Sequence, residues 1–184
     1  MRADDQRMMG IMYAPASYTH ISHLHNAFRL GEIHDKTLIN FWLLRYGNLC
    51  NLPEMWRSND ATLWQLITSW YRIADAAHLI GGYLLRNHLP RQSAILMSDP
   101  RLLAFISLPI RHSITLDDAM SALDTASCGA AFILGLFSDL PLALRQRMRL
   151  LFPANMQRAP FSTSKTPNHI NLLRMALTYA NHYY

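Results

Sequence analysis

Residues 60–108 read DATLWQLITSWYRIADAAHLIGGYLLRNHLPRQSAILMSDPRLLAFISL. Apolar residues recur at three and four: Leu63, Leu66, Ile67, Trp70 and Ile73, then Ala76, Ala77, Ile80, Tyr83 and Leu84 towards Leu89. That spacing lines one face of a helix. Ser58 and Asp60 are both placed to cap it. The Gly81–Gly82 pair either breaks the run, kinks it or lets another helix approach closely. Asp99 followed by Pro100 is a cap and a first-turn proline, opening a helix that buries Leu102, Leu103, Phe105 and Ile106 and stops at Pro109. No convergent set of catalytic groups accompanies the stripe. A dense Trp, Leu, Ile and Ala run crossed by Arg fits a helical protein that docks onto other proteins.

The rest of the chain extends the helical reading. Residues 17–30 form either a short helix or an extended packing segment, and residues 38–53 start as an apolar helix that stops near Gly47 or Pro53. Thr115 with Asp118 resembles a capping box. It precedes the longest periodic stretch, in which Leu116, Met120, Leu123, Ala130, Ile133 and Phe137 recur. Ser138 is positioned to cap LPLALRQRMRLLF (140–152), which ends at Pro153, and Thr166–Pro167 opens a last helix presenting Ile170, Leu173, Leu177 and Ala180. No segment alternates as a strand would. The expectation is an all-α fold: one compact domain over residues 1–184, a bundle of six to nine helices, with a mobile lead-in at about 1–12 and a loop at about 154–167.

Composition narrows the function. Of the 184 residues, 51% are apolar and only 16% charged, against a usual charged fraction of about 25%. The low charge suggests either that some surface is reserved for partners or that the free protein is poorly soluble. Basic residues are nearly all Arg, whose rigid fork suits interfaces, although base composition of a genome produces the same bias. The net charge of +5 is scattered rather than striped, which favours acidic protein surfaces over a phosphate backbone. Cys50 and Cys128 read as free thiols in a reducing compartment. No signal-peptide pattern opens the sequence, and the longest uncharged apolar run, Gly129 to Phe137, falls far short of the roughly 18–20 residues of a span. A cytosolic protein with no direct membrane insertion is expected.

The constellations that carry chemistry elsewhere are weak here. His20 and His23 share a helical face but His25 does not, so a zinc set is incomplete. Ser127 and Cys128 lie mid-helix with no paired base. Gly81–Gly82 lacks phosphate-loop spacing. Asp117 and Asp118 fit first-turn positions, and Asp124 fits the exposed side of the same helix. Neither a metal nor a cofactor is expected. Arg145, Arg147 and Arg149 form the densest basic run, with Arg145 and Arg149 on one face. They suit a solvated face or an acidic partner. Trp42, Trp56, Trp64 and Trp70 read as core, with room for one of them to anchor an interface.

Four short signatures, in order, carry a family resemblance: YAPASYTHISHL (13–24), with Pro15, Tyr18 and His20; WYRIADAAHLIGGYLLR (70–86), with Trp70, Ala77, Leu79, Ile80, Gly81, Leu84 and Arg86; RQRMRLLFP (145–153), with Leu150 to Pro153; and LLRMALTYANHYY (172–184), with Leu173, Ala176, Leu177, Tyr179, Ala180 and Tyr183. Over residues 12–183 the chain resembles the OrgA/MxiK family, the small cytoplasmic adaptors of the type III secretion injectisome. The loop at 154–167 departs from the family pattern.

The resemblance implies a mostly helical protein without enzyme activity. It implies a place in the sorting platform beneath the inner-membrane ring, linking the ring protein's cytoplasmic domain to the major pod protein and, indirectly, to the stator and ATPase. It implies no nucleic acid partner, and a protein held at the cytoplasmic face of the inner membrane only through its partners. The candidate partner-binding residues are Arg145 and Arg149 from the basic face, and Tyr18, His20, Trp70 and Arg86 from the signatures. Two rivals remain: a helical DNA-binding regulator, which requires a helix-turn-helix, and a small helical enzyme, which requires a concave polar pocket.

Overall fold

The computed structural model of the chain describes residues 3–24, 35–54, 56–87, 99–110, 123–156 and 165–182. Among these, eight α-helices and three 3-10 turns occur and no strand, as the helical periodicity requires. The helices are α1 (Ala3–Tyr13), α2 (Lys36–Tyr46), α3 (Ala61–Thr68), α4 (Ile73–Leu84), α5 (Pro100–Ile106), α6 (Thr125–Leu136), α7 (Leu142–Leu150) and α8 (Pro167–His182). The 3-10 turns are Pro15–Ser17, Ile21–His23 and Trp70–Arg72. The chain divides into two compact units, Met1–Tyr71 with Phe137–Met156 and Arg72–Leu136 with Gln157–Tyr184.

The second unit is built around α4 and α6. Both are buried nearly all round, α4 from Leu79 to Leu85 and α6 from Cys128 to Ile133. Their backbones touch. A Cβ on Gly81 would lie 1.7 Å from the Thr125 carbonyl oxygen, and one on Gly129 would lie 1.7 Å from that of Ala77. Each helix thus sets a glycine against the other's main chain, which only a residue without a side chain permits. Gly82 faces the other way, where a Cβ would meet Leu102 of α5 at 2.3 Å. Helix α8 lays Leu172, Leu173, Ala176, Leu177 and Ala180 into the core. Each buried Leu contributes about 1.5–3 kcal/mol. The rings of Tyr83, Phe105 and Tyr179 meet edge to face at 6.4 and 5.4 Å, joining α4, α5 and α8.

The first unit packs α1 against α3 and α7, and α2 against the Pro15–Ser17 turn. Its centre is a buried cation. Arg147 of α7 is 0% exposed. It donates from Nε and Nη2 to the Met12 carbonyl at 3.2 and 2.9 Å, and from Nη1 to those of Cys50 and Ala143 at 2.7 and 3.1 Å. Met12 lies in the last turn of α1, where carbonyls lack helical partners and the dipole favours a positive charge. Burial lowers the Arg147 pKa, opposed by nearby Tyr18, Tyr13 and Cys50. Guanidinium nevertheless stays charged in proteins, so the carbonyl dipoles take the place of water.

Local chemistry sets several helix starts as the sequence predicts. Asp60 Oδ1 accepts from Thr62 and Leu63 N–H, Asp99 Oδ1 from Arg101 and Leu102 N–H, and Thr166 Oγ1 from His169 N–H. Other expectations change. Residues 3–13, which include most of the expected lead-in, are a helix with Ile11 and Met12 buried. The stripe from Leu63 to Leu84 is interrupted at Ser69, whose N–H closes α3, and by the Trp70–Arg72 turn. Periodicity misses the break because Trp70 and Ile73 are both fully buried, but in different units. Asp124, expected on a helix side, precedes Thr125 and accepts from Ser127 N–H and Oγ–H, both at 2.8 Å. Helix α7 begins after Pro141 without a side-chain cap, so Ser138 does not serve as one. The Thr115–Asp118 box lies outside the described residues, as do residues 157–164 of the expected loop.

Three substitutions at two positions test these cores. Gly81→Ala forces a methyl into the Thr125 backbone and is expected to cost about 3 kcal/mol or more, seen as a lower urea midpoint. Arg147→Ala leaves buried carbonyls without donors and is expected to cost about 3 kcal/mol or more. Arg147→Lys keeps the charge but loses the fork, and its midpoint should fall between wild type and alanine.

Candidate partner interface

Helix α2 leaves large apolar side chains facing outward. Its start is capped by Asp35, whose Oδ1 accepts from Thr37 N–H at 2.7 Å. Asn40 Oδ1 accepts from Ala16 N–H at 2.7 Å, and Leu43 is the helix's buried residue. Beyond Gly47 the chain turns through Asn48, whose φ of 49° lies in the left-handed region, one that Asn tolerates better than most side chains. Gln146 grips this turn from α7, donating to the Asn48 carbonyl at 2.9 Å and accepting from Cys50 N–H at 2.8 Å. Arg147 holds the Cys50 carbonyl beside it.

With Asn40 and Leu43 turned inward, the helical period places Phe41, Arg45, Leu38, Trp42 and Tyr46 on an outward arc of roughly 140°. Leu38, Phe41 and Tyr46 are 54, 61 and 65% exposed. The Trp42 and Tyr46 rings sit one turn apart with centroids 6.3 Å apart. Arg45 is exposed and has no acidic partner among the described residues. Isolated apolar residues on a surface are ordinary, but a contiguous aromatic set is not. The sequence shows an apolar period in α2; it carries no sign of which way that side faces.

The candidate residues read from the sequence separate. Tyr18 and Trp70 come together in the core of the first unit, with ring centroids 5.8 Å apart. Trp70 is 1% exposed, and Tyr18 donates from Oη to the Ile11 carbonyl at 2.6 Å. Burial pushes the Tyr18 phenol well above its usual range, against the pull of Arg147. Their side chains face Ile11 and each other rather than solvent in the free chain. His20 is half-buried; its N–H donates to the Leu150 carbonyl at 2.7 Å, and its Nδ1 sits 2.8 Å from Ser22 Oγ. His23 Nε2 lies 2.8 Å from the Phe152 carbonyl. His25 lies outside the described residues, and among those described no three ligands gather for a metal.

On α7, Arg145 is half-buried, its Nε without a hydrogen-bond partner among the described residues, while Arg149 is exposed. Arg147 lies between them in the same basic run of sequence but is buried. A signal was available, since Leu144, Met148 and Leu151 put it on the apolar side. Arg86, in the second unit, lies 4.1 Å over the Tyr83 ring and donates to the Tyr83 carbonyl at 3.0 Å.

In the second unit His78 centres a polar chain. His78 Nδ1 is 2.7 Å from Thr125 Oγ1 and its Nε2 is 3.2 Å from Asp99 Oδ2. It ties α4 to the first residues of α5 and α6. Thr125 is 8% exposed, with its carbonyl against Gly81, so the chain reads as a clasp and not as an exposed nucleophile. Ser127 donates to Asp124, and the Cys128 thiol is pushed up to about 12, by burial first and the Asp124 charge second. Burial also raises Asp99, but the Leu102 N–H, His78 and the Arg101 N–H outweigh it and hold this carboxyl below its usual value. A depressed carboxylate stabilises the fold above its unfolded pKa of about 3.9 and loses that contribution as pH falls through the folded value. Asp99→Ala should therefore cost about 1 kcal/mol at neutral pH. In urea titrations across pH, the gap from wild type should close below about pH 4.

Comparison with known proteins places this architecture. A family model described as bacterial type III secretion apparatus protein (OrgA_MxiK) matches residues 8–182. The chain is 27% identical over 180 residues to oxygen-regulated invasion protein OrgA from three strains of Salmonella typhimurium, covering 94% of this chain and 86% of each relative. No solved structure matches. Among the described residues no helix is long and apolar enough to cross a membrane. The match spans α2 and its outward arc, the Arg147 centre and the glycine crossing of α4 and α6, and by it the chain belongs to the OrgA/MxiK family of non-enzymatic type III secretion apparatus proteins.

Proposed function

We propose that the protein is a cytoplasmic adaptor of the secretion sorting platform, held at the inner membrane only through its partners. In this reading it joins the cytoplasmic domain of the inner-membrane ring protein to the major pod protein, and through the pod to the stator and ATPase. The observation that supports it best is the outward aromatic arc of α2, where Leu38, Phe41 and Tyr46 stay exposed. Two compact units, each with its own buried core, give an adaptor rigid material for two contacts. The two units act as a single adaptor domain in this account. Arg149, with Arg145 one turn before it, offers a second, basic contact for acidic residues of the pod protein, and His20 and Arg86 lie partly at the surface. Tyr18 and Trp70 contribute by holding the first unit's shape.

The test is co-purification of this chain with the ring protein's cytoplasmic domain and with the pod protein. Stable binary complexes with each, and a ternary complex, are expected. A well-folded chain that binds neither would contradict the adaptor reading and turn attention to DNA binding and small-molecule turnover. Reversing Arg145 and Arg149 to Glu is expected to weaken pod binding with an unchanged melting temperature. Unchanged pod binding would remove that face from the account.

A further inference from the structure

We infer that the outward arc of α2 seats an amphipathic helix of a partner protein, one carrying aliphatic residues at helical spacing and a carboxylate opposite Arg45. The inference deepens the adaptor reading and rests on it. Exposed Leu38, Phe41 and Tyr46, with half-buried Trp42, surround Arg45 on one side of the helix. Aromatic residues and Arg are the types that carry most binding energy when their surroundings exclude water. A helix surface of this kind meets another helix through side chains at three- and four-residue spacing.

The strip is also fixed before anything binds. Asp35 caps its start, Asn40 ties its inner side to Ala16, and Gln146 with Arg147 hold the turn behind it. Little ordering is left for binding to impose, which favours affinity. The paired rings of Trp42 and Tyr46 add rigid contact area.

Charge selects the occupant. The arc carries one cation and no carboxylate, and Asp35 at the helix start is engaged with Thr37. A second copy docking on the same strip is related by a two-fold axis. It would bring like charges together with nothing on either strip to neutralise them. Anionic lipid surfaces and nucleic acid call for clusters of several basic residues, and one Arg among aromatic rings is not such a cluster. An acidic side chain on an otherwise apolar helix satisfies both the rings and the guanidinium.

The experiment uses the full chain as wild type, as the Leu38→Ala/Phe41→Ala double variant, as Arg45→Glu and as Arg45→Lys. Each is titrated against the ring protein's cytoplasmic domain and against the pod protein. Oligomeric state is followed by light scattering, and lipid binding with phosphatidylcholine–phosphatidylserine vesicles. All three positions are exposed, so melting temperatures should match wild type. The double variant and Arg45→Glu are each expected to weaken the same one of the two complexes about tenfold or more. Arg45→Lys should retain part of that affinity, and the other complex should be unaffected. If wild type binds a partner and every variant binds it equally, the inference is overturned while the adaptor reading stands. Variants that instead change self-association or vesicle binding overturn it in favour of a second copy or a lipid surface. Wild type that binds neither protein removes the adaptor reading and this inference together.

Discussion

A buried guanidinium with no acid among its recorded contacts holds the first unit in register. Arg147 collects the carbonyls of Met12, Cys50 and Ala143. In doing so it fixes the end of α1, the chain that leaves α2, and α7 to one another. A charge in such a place is tolerable only because oriented backbone dipoles replace its hydration, and it becomes strongly destabilising if any of the geometry is lost. The consequence for function runs through α2. Since the turn at Asn48 to Cys50 is gripped by Gln146 and Arg147, and Asn40 is tied to Ala16, the helix has one rotation about its own axis. That rotation turns its aromatic side to solvent.

The second unit solves a different problem with a different device. Its two most buried helices meet along main chain, glycine against carbonyl, in both directions. Such a contact leaves no side chain that repacks, and dense interiors do not deform gradually. The His78 clasp then ties the entries of α5 and α6 to α4. Rigidity of this kind suits the proposed adaptor role, in which the fixed placement of surfaces is what matters.

What was legible in the sequence follows the range of the forces involved. Caps are local, so Asp60, Asp99–Pro100 and Thr166 could be read directly, and close helix approach was among the readings of Gly81–Gly82. The residue that receives it, Gly129, lies far along the chain, and although small residues at 127–129 suit helix packing, nothing in the sequence pairs it with Gly81. Helix α1 carries no clear signal in sequence because Met8, Met9, Ile11 and Met12 form no clean stripe around Gly10, and the burial of Ile11 and Met12 depends on α3 and α7. Arg147 was hidden by its basic neighbours, although its apolar flanks marked it. The candidate interface was the least readable feature. An apolar period in α2 is the same pattern whether it faces a core or a partner, and only the inward anchors Asn40 and Leu43 decide between them. Tyr18 and Trp70, singled out by family signatures, hold the fold.

The central claim is that apolar side chains of α2 stay outside the core because they belong to a contact with another protein. Amide hydrogen exchange of the free chain and of its complexes with the ring and pod proteins tests it most directly. The account predicts that residues 36–46 gain protection in one complex while the buried amides of α4 and α6 remain as they were. Complexes that form with protection confined to other surfaces, leaving 36–46 unchanged, would contradict it.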